Sequence, residues 1–127
     1  MSTLVTYRNE ESIATITMDD GKRNALSLPM FAELNAAFDR AREDQVPVVL
    51  TGRPETFSAG FDLKVMMAGG RDAAEMVLAG FRLGERMLGF PTPIVVACNG
   101  NAIAMGAFLL LSADYRIATA GAYRIIA

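Results

Sequence analysis

The chain has 127 residues, of which 52% are hydrophobic, and its 12 basic and 14 acidic residues give a formal net charge of −2. This length and balance predict one ordinary soluble domain or a piece of a larger one. The basic residues form no run longer than Lys22 and Arg23, which excludes the positive surface that nucleic-acid binding requires. The sequence contains no histidine, so these residues supply neither a histidine-based triad nor an imidazole metal site.

The N-terminus and the single cysteine bear on the cellular compartment. Residues 1–12 lack the apolar core of a signal peptide, so we assign no targeting signal. Cys98 has no second cysteine with which to form an internal disulfide, and we interpret it as a small buried hydrophobic residue. A reduced, cytoplasmic protein is the simplest setting for this composition.

The first part of the chain predicts a hairpin, a helix and a third strand. Residues 4–7 and 13–18 have strand character and are joined by a polar turn. Ser27 is a candidate N-cap for a helix over residues 28–42, whose apolar residues recur at helical spacing. Residues 47–52 then predict a strand, and residues 53–56 a loop.

Two helices are predicted in the middle of the chain. A short helix over residues 63–68 is broken by Gly69 and Gly70, and Asp62 is interpreted as its N-cap rather than as a catalytic group. Asp72 is predicted to cap a longer helix that runs to about residue 89. The apolar face of this longer helix carries Met76, Leu83 and Met87, widened by Val77, Phe81 and Leu88.

An uncharged stretch over residues 94–113 is the one around which we expect the chain to be organised. It is too interrupted to span a membrane, because the Asn-Gly-Asn sequence at residues 99–101 predicts a turn. We predict a buried strand from residue 94, a turn at 99–101 and a short buried helix over 102–111. Strand-like segments follow at 113–118 and 123–127. The alternation of strands and helices predicts an α/β fold with a parallel sheet and right-handed crossovers.

Three segments resemble the crotonase family, the enoyl-CoA hydratases and isomerases. They are GKRNAL at residues 21–26, FSAGFDLK at 57–64, and the region 93–118, in the family's order and spacing. The resemblance implies a crotonase-like ββα spiral, truncated before the C-terminal helices. Residues 1–127 would then form the N-terminal part, roughly half, of a single crotonase-like domain. The family also implies a homotrimer or a hexamer for the full-length subunit.

The resemblance further implies a site for an acyl-CoA thioester. By analogy, the backbone N–H groups of Phe61 and Met105 form an oxyanion hole for the charge that develops on the thioester oxygen. Lys64 and either Lys22 or Arg23 could meet the phosphates as point charges, although solvated loop cations explain Lys22 and Arg23 equally well when each is taken singly. The positions that match the family's CoA contacts are Lys22, Arg23, Ala25, Leu26, Ala59, Asp62, Leu63 and Lys64. No metal and no separate cofactor are implied, because CoA is part of the substrate.

One position departs from the pattern of the hydratases. The first family glutamate aligns with Phe108, and a phenyl ring can neither activate nor protonate water. The second family glutamate aligns just beyond Ala127, where it could act alone as the base of an isomerase. We therefore favour isomerase chemistry. The alternative is a non-catalytic acyl-CoA-binding or assembly subunit that keeps the fold. The side chains of Met105 and Phe108 are themselves predicted to be core residues.

Overall fold

The structure, a computed structural model, describes residues 3–127 as an α/β fold of three sheets and four helices. In chain order the elements are β1 (Val5–Glu10), β2 (Ile13–Met18), β3 (Ala25–Leu26), α1 (Leu28–Asp44), β4 (Val48–Thr51), β5 (Glu55–Ser58), β6 (Gly60–Phe61), α2 (Leu63–Ala68), α3 (Gly70–Leu88), β7 (Ile94–Cys98), β8 (Gly100–Ile103), α4 (Met105–Leu111), β9 (Tyr115–Ala118) and β10 (Ile125–Ile126). Within residues 3–127, no helix is both long enough and apolar enough to cross a membrane.

The main sheet has five strands in the order β1-β2-β4-β7-β9. Strands β1 and β2 form the predicted antiparallel hairpin, and the other neighbours are parallel, as predicted. Ile16, Leu50 and Val96 lie side by side across three strands, and all three are fully buried. The β-branched and apolar residues of these strands therefore form one wall of the core.

Helix α1 covers the buried face of this sheet. Ser27 is its N-cap, as predicted, and the Ser27 hydroxyl accepts a hydrogen bond from the Met30 N–H at 3.2 Å. The helix continues two residues beyond the predicted end and stops at Gln45, which adopts a left-handed conformation. Phe31 and Phe38 fill the space between helix and sheet, which confirms the predicted apolar face.

Helix α3 packs beside α1 and begins earlier than predicted. Met76, Leu83 and Met87 are buried as predicted, whereas Phe81 and Leu88 are exposed. The prediction that Asp72 caps this helix is wrong. The helix starts at Gly70, because Gly69 takes a left-handed conformation that ends α2 and begins α3 directly.

The clearest departure from the sequence prediction is a second, three-stranded sheet in the order β10-β8-β5. Residues 55 and 56 were predicted as loop and residues 100 and 101 as turn, yet the structure places them in the parallel pair β5–β8. Gly100 lies so close to the backbone of Glu55 that an added Cβ would be only 1.9 Å from its carbonyl carbon. Gly100, which the sequence predicts to lie in a turn, therefore allows two strands to pack closely. Helix α4 starts at Met105, three residues later than predicted.

Candidate active site

The first two motifs meet in a short parallel pair, β3 with β6. Ala25 lies opposite Gly60, and Leu26 lies opposite Phe61. The pairing continues on either side of these strands, because the Ala59 N–H donates to the Arg23 carbonyl at 3.0 Å and the Asp62 N–H donates to the Leu26 carbonyl at 3.2 Å. Segments 35 residues apart thus share one ladder, which fixes the backbone of Phe61.

Two buried polar side chains, Asn24 and Ser58, lock this arrangement. The Asn24 amide nitrogen donates to the carbonyls of Met18 at 2.9 Å and Phe57 at 3.1 Å. The Ser58 hydroxyl donates to the Asn24 carbonyl at 2.8 Å and accepts from the Gly60 N–H at 3.1 Å. Because both side chains are fully buried, every one of these bonds replaces a lost contact with water.

Asp20 organises the loop that carries the first motif. One carboxylate oxygen accepts from the N–H groups of Lys22 at 2.7 Å and Asn24 at 3.0 Å, and the other accepts from Ala25 at 3.1 Å. Burial alone would raise the pKa of Asp20, but these three N–H groups and the nearby charge of Arg53 outweigh it and lower the pKa below 3.8. The loop is therefore built around an ionised carboxylate.

The third motif approaches the second at Gly60. Gly60 has a φ of +90°, and a Cβ there would lie 2.8 Å from the Ile103 carbonyl oxygen and 3.5 Å from the Met105 nitrogen. Only a glycine permits this contact. Strand β6 and the first residue of α4 are thereby brought together, so the two residues predicted to form the oxyanion hole are neighbours in space.

The start of α4 is held against β5 by a second close contact. Gly106 is buried, and an added Cβ would lie 2.6 Å from the Ser58 carbonyl oxygen. Ala104 precedes the helix with φ +51° and ψ −117°, and its N–H donates to the Ile126 carbonyl at 2.6 Å. The N–H of Met105 follows at the first helical position, where no acceptor exists within the helix.

The side chains of the predicted oxyanion residues differ in their surroundings. The Phe61 ring packs edge-on against Phe31 at a centroid distance of 6.2 Å, while the Met105 side chain is 2% exposed. Met105 is a core residue, as predicted. Phe108 is 41% exposed, so the prediction that it belongs to the core is wrong: α4 turns this ring outward, where Phe81 of α3 meets it at 6.1 Å.

The Phe81–Phe108 pair borders an apolar groove of about 300 Å³ between α3 and α4. Leu88, Glu85 and the buried Met105 also line it. An aromatic ring at residue 108 therefore stands about one helical turn from the Met105 N–H, at the position predicted to align with the first glutamate of the hydratases.

The residues predicted to contact CoA are distributed around this ladder. Lys22 and Arg23 are exposed in the loop before β3, and Leu63 and Lys64 are exposed at the start of α2. Asp62 is the N-cap of α2, as predicted, and accepts from the Lys64 N–H at 2.9 Å. The half-buried positions are Ala25, Ala59 and Asp62. Leu26 is fully buried, so its side chain belongs to the core and only its backbone could meet a ligand.

Two surface features complete the description of this region. Arg23 and Ala59 line a groove of about 640 Å³, together with Thr56, residues of β8 and the segment before β10. Among residues 3–127, no cluster of three or more His, Cys, Asp or Glu side chains could hold a metal ion.

Sequence reasoning missed the residues that support the site, namely Asp20, Asn24 and Ser58. The sequence Asp19-Asp20-Gly21 predicts a turn, but it does not predict that the Asp20 carboxylate accepts the backbone N–H groups of the first motif. Asn24 and Ser58 carry no local signal. Their partners lie 33 and 34 residues away along the chain, so the roles of both become visible only in the fold.

Comparison with known proteins identifies the class to which this fold and site belong. The profile of the enoyl-CoA hydratase/isomerase family matches residues 8–125. A solved structure of a family member from Pseudomonas syringae superimposes with a TM-score of 0.93 at 48% identity, covering 94% of this chain and 52% of that one. The chain therefore belongs to the enoyl-CoA hydratase/isomerase family, the crotonases.

Two further relatives come from Mycobacterium tuberculosis. A structure described as an enoyl-CoA isomerase matches with a TM-score of 0.87 at 50% identity, covering 91% of this chain and 51% of that one. A probable enoyl-CoA hydratase is 39% identical over 115 residues, which are 86% of this chain and 44% of the relative. The chain thus spans about half the length of the proteins that it matches.

Proposed function

We propose that the protein acts on an enoyl-CoA thioester and moves its carbon–carbon double bond, with the thioester oxygen held by the N–H groups of Phe61 and Met105. The observation that carries the proposal is the approach of β6 to the start of α4 at Gly60. A base removes a proton from C2 of a 3-enoyl-CoA, the electron pair delocalises onto the thioester oxygen, and the proton returns at C4. The product is a 2-enoyl-CoA of unchanged composition.

The oxyanion hole is supported by the rigidity of its backbone. Phe61 is fixed by the β3–β6 ladder, and Met105 is fixed by the close contact of Gly106 with Ser58. Preorganised donors stabilise developing charge better than water because they need no reorganisation during the reaction. Removal of a single oxyanion-hole donor in other enzymes costs roughly 2.7 to 4 kcal/mol of transition-state stabilisation.

Isomerisation is favoured over hydration because residue 108 is a phenylalanine. Addition of water needs one group that activates water and another that delivers a proton, whereas a double-bond shift can proceed with a single base. The Phe81–Phe108 pair makes this part of the groove apolar.

The end of β10 offers a place for the base. The Ile126 carbonyl accepts the Ala104 N–H, so the backbone at residues 126 and 127 lies beside the residue that precedes Met105. The second family glutamate aligns just beyond Ala127. A carboxylate at that position would lie next to the thioester and could act as the base. The proposed reaction needs no separate cofactor. We also expect the full-length subunit to form trimers, as the family resemblance implies.

Replacement of Met105 by proline tests the backbone donor. Proline lacks the N–H but suits the first position of a helix, whereas Met105→Leu keeps the N–H and serves as the matched control. We expect Met105→Pro to lower kcat by roughly 100- to 1,000-fold with little change in KM, because the donor acts on the transition state. Equal losses in kcat and in acyl-CoA affinity, in a variant with an unchanged melting temperature, would contradict the assignment.

A further inference from the structure

One buried serine contacts all three segments that build the proposed oxyanion hole. Ser58 is fully buried at the end of β5, and its hydroxyl donates to the Asn24 carbonyl at 2.8 Å. The same hydroxyl accepts from the Gly60 N–H at 3.1 Å. A Cβ added at Gly106 would lie 2.6 Å from the Ser58 carbonyl oxygen and 2.9 Å from the Ser58 Cβ. Ser58 therefore packs against the first motif, β6 and α4 at once.

The hydroxyl of Ser58 acts on the peptide next to the first donor. The Gly60 N–H belongs to the peptide that precedes the one carrying the Phe61 N–H, and the two peptides are joined at the Gly60 Cα. Because the φ of Gly60 is fixed at +90° by its close contact with Ile103, the direction of one peptide sets the direction of the other. The bond from Gly60 to Ser58 therefore orients the Phe61 N–H.

The carbonyl that accepts from the Ser58 hydroxyl is itself held in place. The Asn24 side-chain nitrogen donates to the carbonyls of Met18 and Phe57. Its side-chain oxygen accepts from the Asp20 N–H at 3.0 Å. Because Asn24 is fully buried, water does not compete for these bonds. The hydroxyl proton of Ser58 therefore points at one fixed carbonyl, and a lone pair remains for the N–H of β6.

The rest of Ser58 sets the second donor. Gly106 directly follows Met105, the first residue of α4. The approach of Gly106 to the carbonyl and Cβ of Ser58 leaves no space for even one methyl group between α4 and β5. The start of α4 can therefore come no closer to β5, and both donors are placed relative to the same residue.

We propose that Ser58 is a positioning residue for the reaction, which fixes the separation and direction of the Phe61 and Met105 N–H groups. The inference rests on the proposed function and deepens it, because it assigns the geometry of the oxyanion hole to a side chain that is buried away from the substrate. Such geometry matters because a displacement of about 1 Å at the reacting groups can lower a rate roughly 100-fold.

Ser58→Ala in the full-length protein tests this role. We expect kcat for a 3-enoyl-CoA to fall roughly ten- to 100-fold with little change in KM, because misplaced donors weaken transition-state binding. A saturated acyl-CoA with an isotope label at the thioester carbonyl gives a second readout. Hydrogen bonds from the two donors lower the stretching frequency of this carbonyl on binding. Infrared spectroscopy should show a smaller decrease in Ser58→Ala than in the wild type.

Thr92→Val is the matched control. It removes a hydroxyl that donates to the Val46 carbonyl at 2.8 Å. Thr92 and Val46 precede β7 and β4, so they lie at the opposite end of these strands from the segments that carry the donors. We expect Thr92→Val to lower the melting temperature but to keep the wild-type kcat and the full carbonyl shift.

Ser58→Cys retains a weak donor and acceptor and should lie between the wild type and Ser58→Ala. It replaces Ser58→Ala in both measurements if that variant does not fold. The inference is overturned if the folded variant keeps the kcat and carbonyl shift of the wild type, or if Thr92→Val loses both equally. A wild-type protein that binds the labelled acyl-CoA without any carbonyl shift refutes the proposed oxyanion hole as well, whereas a shift that Ser58→Ala retains refutes the role of Ser58 alone.

Discussion

Ala104 is the residue whose conformation is least suited to its side chain. Its φ of +51° with ψ of −117° is a conformation that glycine reaches freely and that a Cβ disfavours. Such a conformation costs on the order of 1–3 kcal/mol and persists only where neighbours enforce it. Here the Ile126 carbonyl on one side and the Gly60 backbone on the other hold the peptide that presents the Met105 N–H.

Replacement of Ala104 by glycine should stabilise the protein. Relief of the backbone strain exceeds the entropy that glycine loses on folding, and the difference is about 1 kcal/mol in the free energy of unfolding. Urea denaturation measures this change. The control is Ala107→Gly in the buried interior of α4, which should destabilise the protein by roughly 1 kcal/mol. A loss of stability in Ala104→Gly would show that residue 104 is not strained.

Sequence patterns predicted the role of a residue correctly where its hydrogen-bond partner lies only two or three residues along the chain. Ser27 and Asp62 cap their helices as predicted, because an N-cap depends only on the next two or three N–H groups. Phe108 was assigned to the core because its residue type is usually buried. Its exposure depends on how far α3 lies from α4, which no local pattern contains.

At the scale of elements, the loop between β2 and β3 depends on one charge. Asp20 receives three backbone N–H groups, while Arg53 binds the Asp19 carboxylate at 2.8 Å and also donates to the Lys22 carbonyl. The folded state lowers the pKa of Asp20, so the ionised form favours folding. Its contribution is complete above the unfolded pKa of about 3.9 and is lost as the pH falls through the lower folded pKa.

Acid unfolding should therefore respond to Asp20→Asn. At neutral pH we expect the variant to be less stable than the wild type, because the N–H groups lose a charged acceptor. Between pH 5 and pH 2 the wild type should lose more stability than the variant, so the two curves converge. Thermal melts across this range provide the measurement, with the exposed turn variant Glu11→Gln as control. If the two curves of stability against pH stay parallel, the pKa of Asp20 is the same in the folded and unfolded states, which would contradict this prediction.

The elements that sequence patterns could not predict are the short strands. The hairpin and α1 follow from periodicity alone, as does the buried face of α3. Strands β3, β6 and β8 have two to four residues each and exist only because a distant segment pairs with them. Gly100 is the clearest example, because the local sequence predicts a turn whereas pairing with Glu55 places the residue in a strand.

For the whole molecule, the order of three motifs carried more information than any single residue. The family resemblance predicted that segments 21–26, 57–64 and 93–118 converge, and the structure brings them together through the β3–β6 pair and the contact at Gly60. The sequence did not indicate the buried Asn24–Ser58 network that fixes this convergence. Such a network forms because buried polar groups need hydrogen-bond partners, and those partners are set by the fold rather than by the composition of the chain.

We propose that the full-length protein shifts a double bond and does not add water. The most direct measurement is a paired assay with a 3-enoyl-CoA and a 2-enoyl-CoA, in which products are identified by mass and by double-bond position. We expect conversion of the 3-enoyl-CoA to the 2-enoyl-CoA at unchanged mass, with no hydroxyacyl product from the 2-enoyl-CoA. Hydration of the 2-enoyl-CoA at a comparable rate would contradict it, and tight binding without either product would identify a non-catalytic acyl-CoA-binding protein.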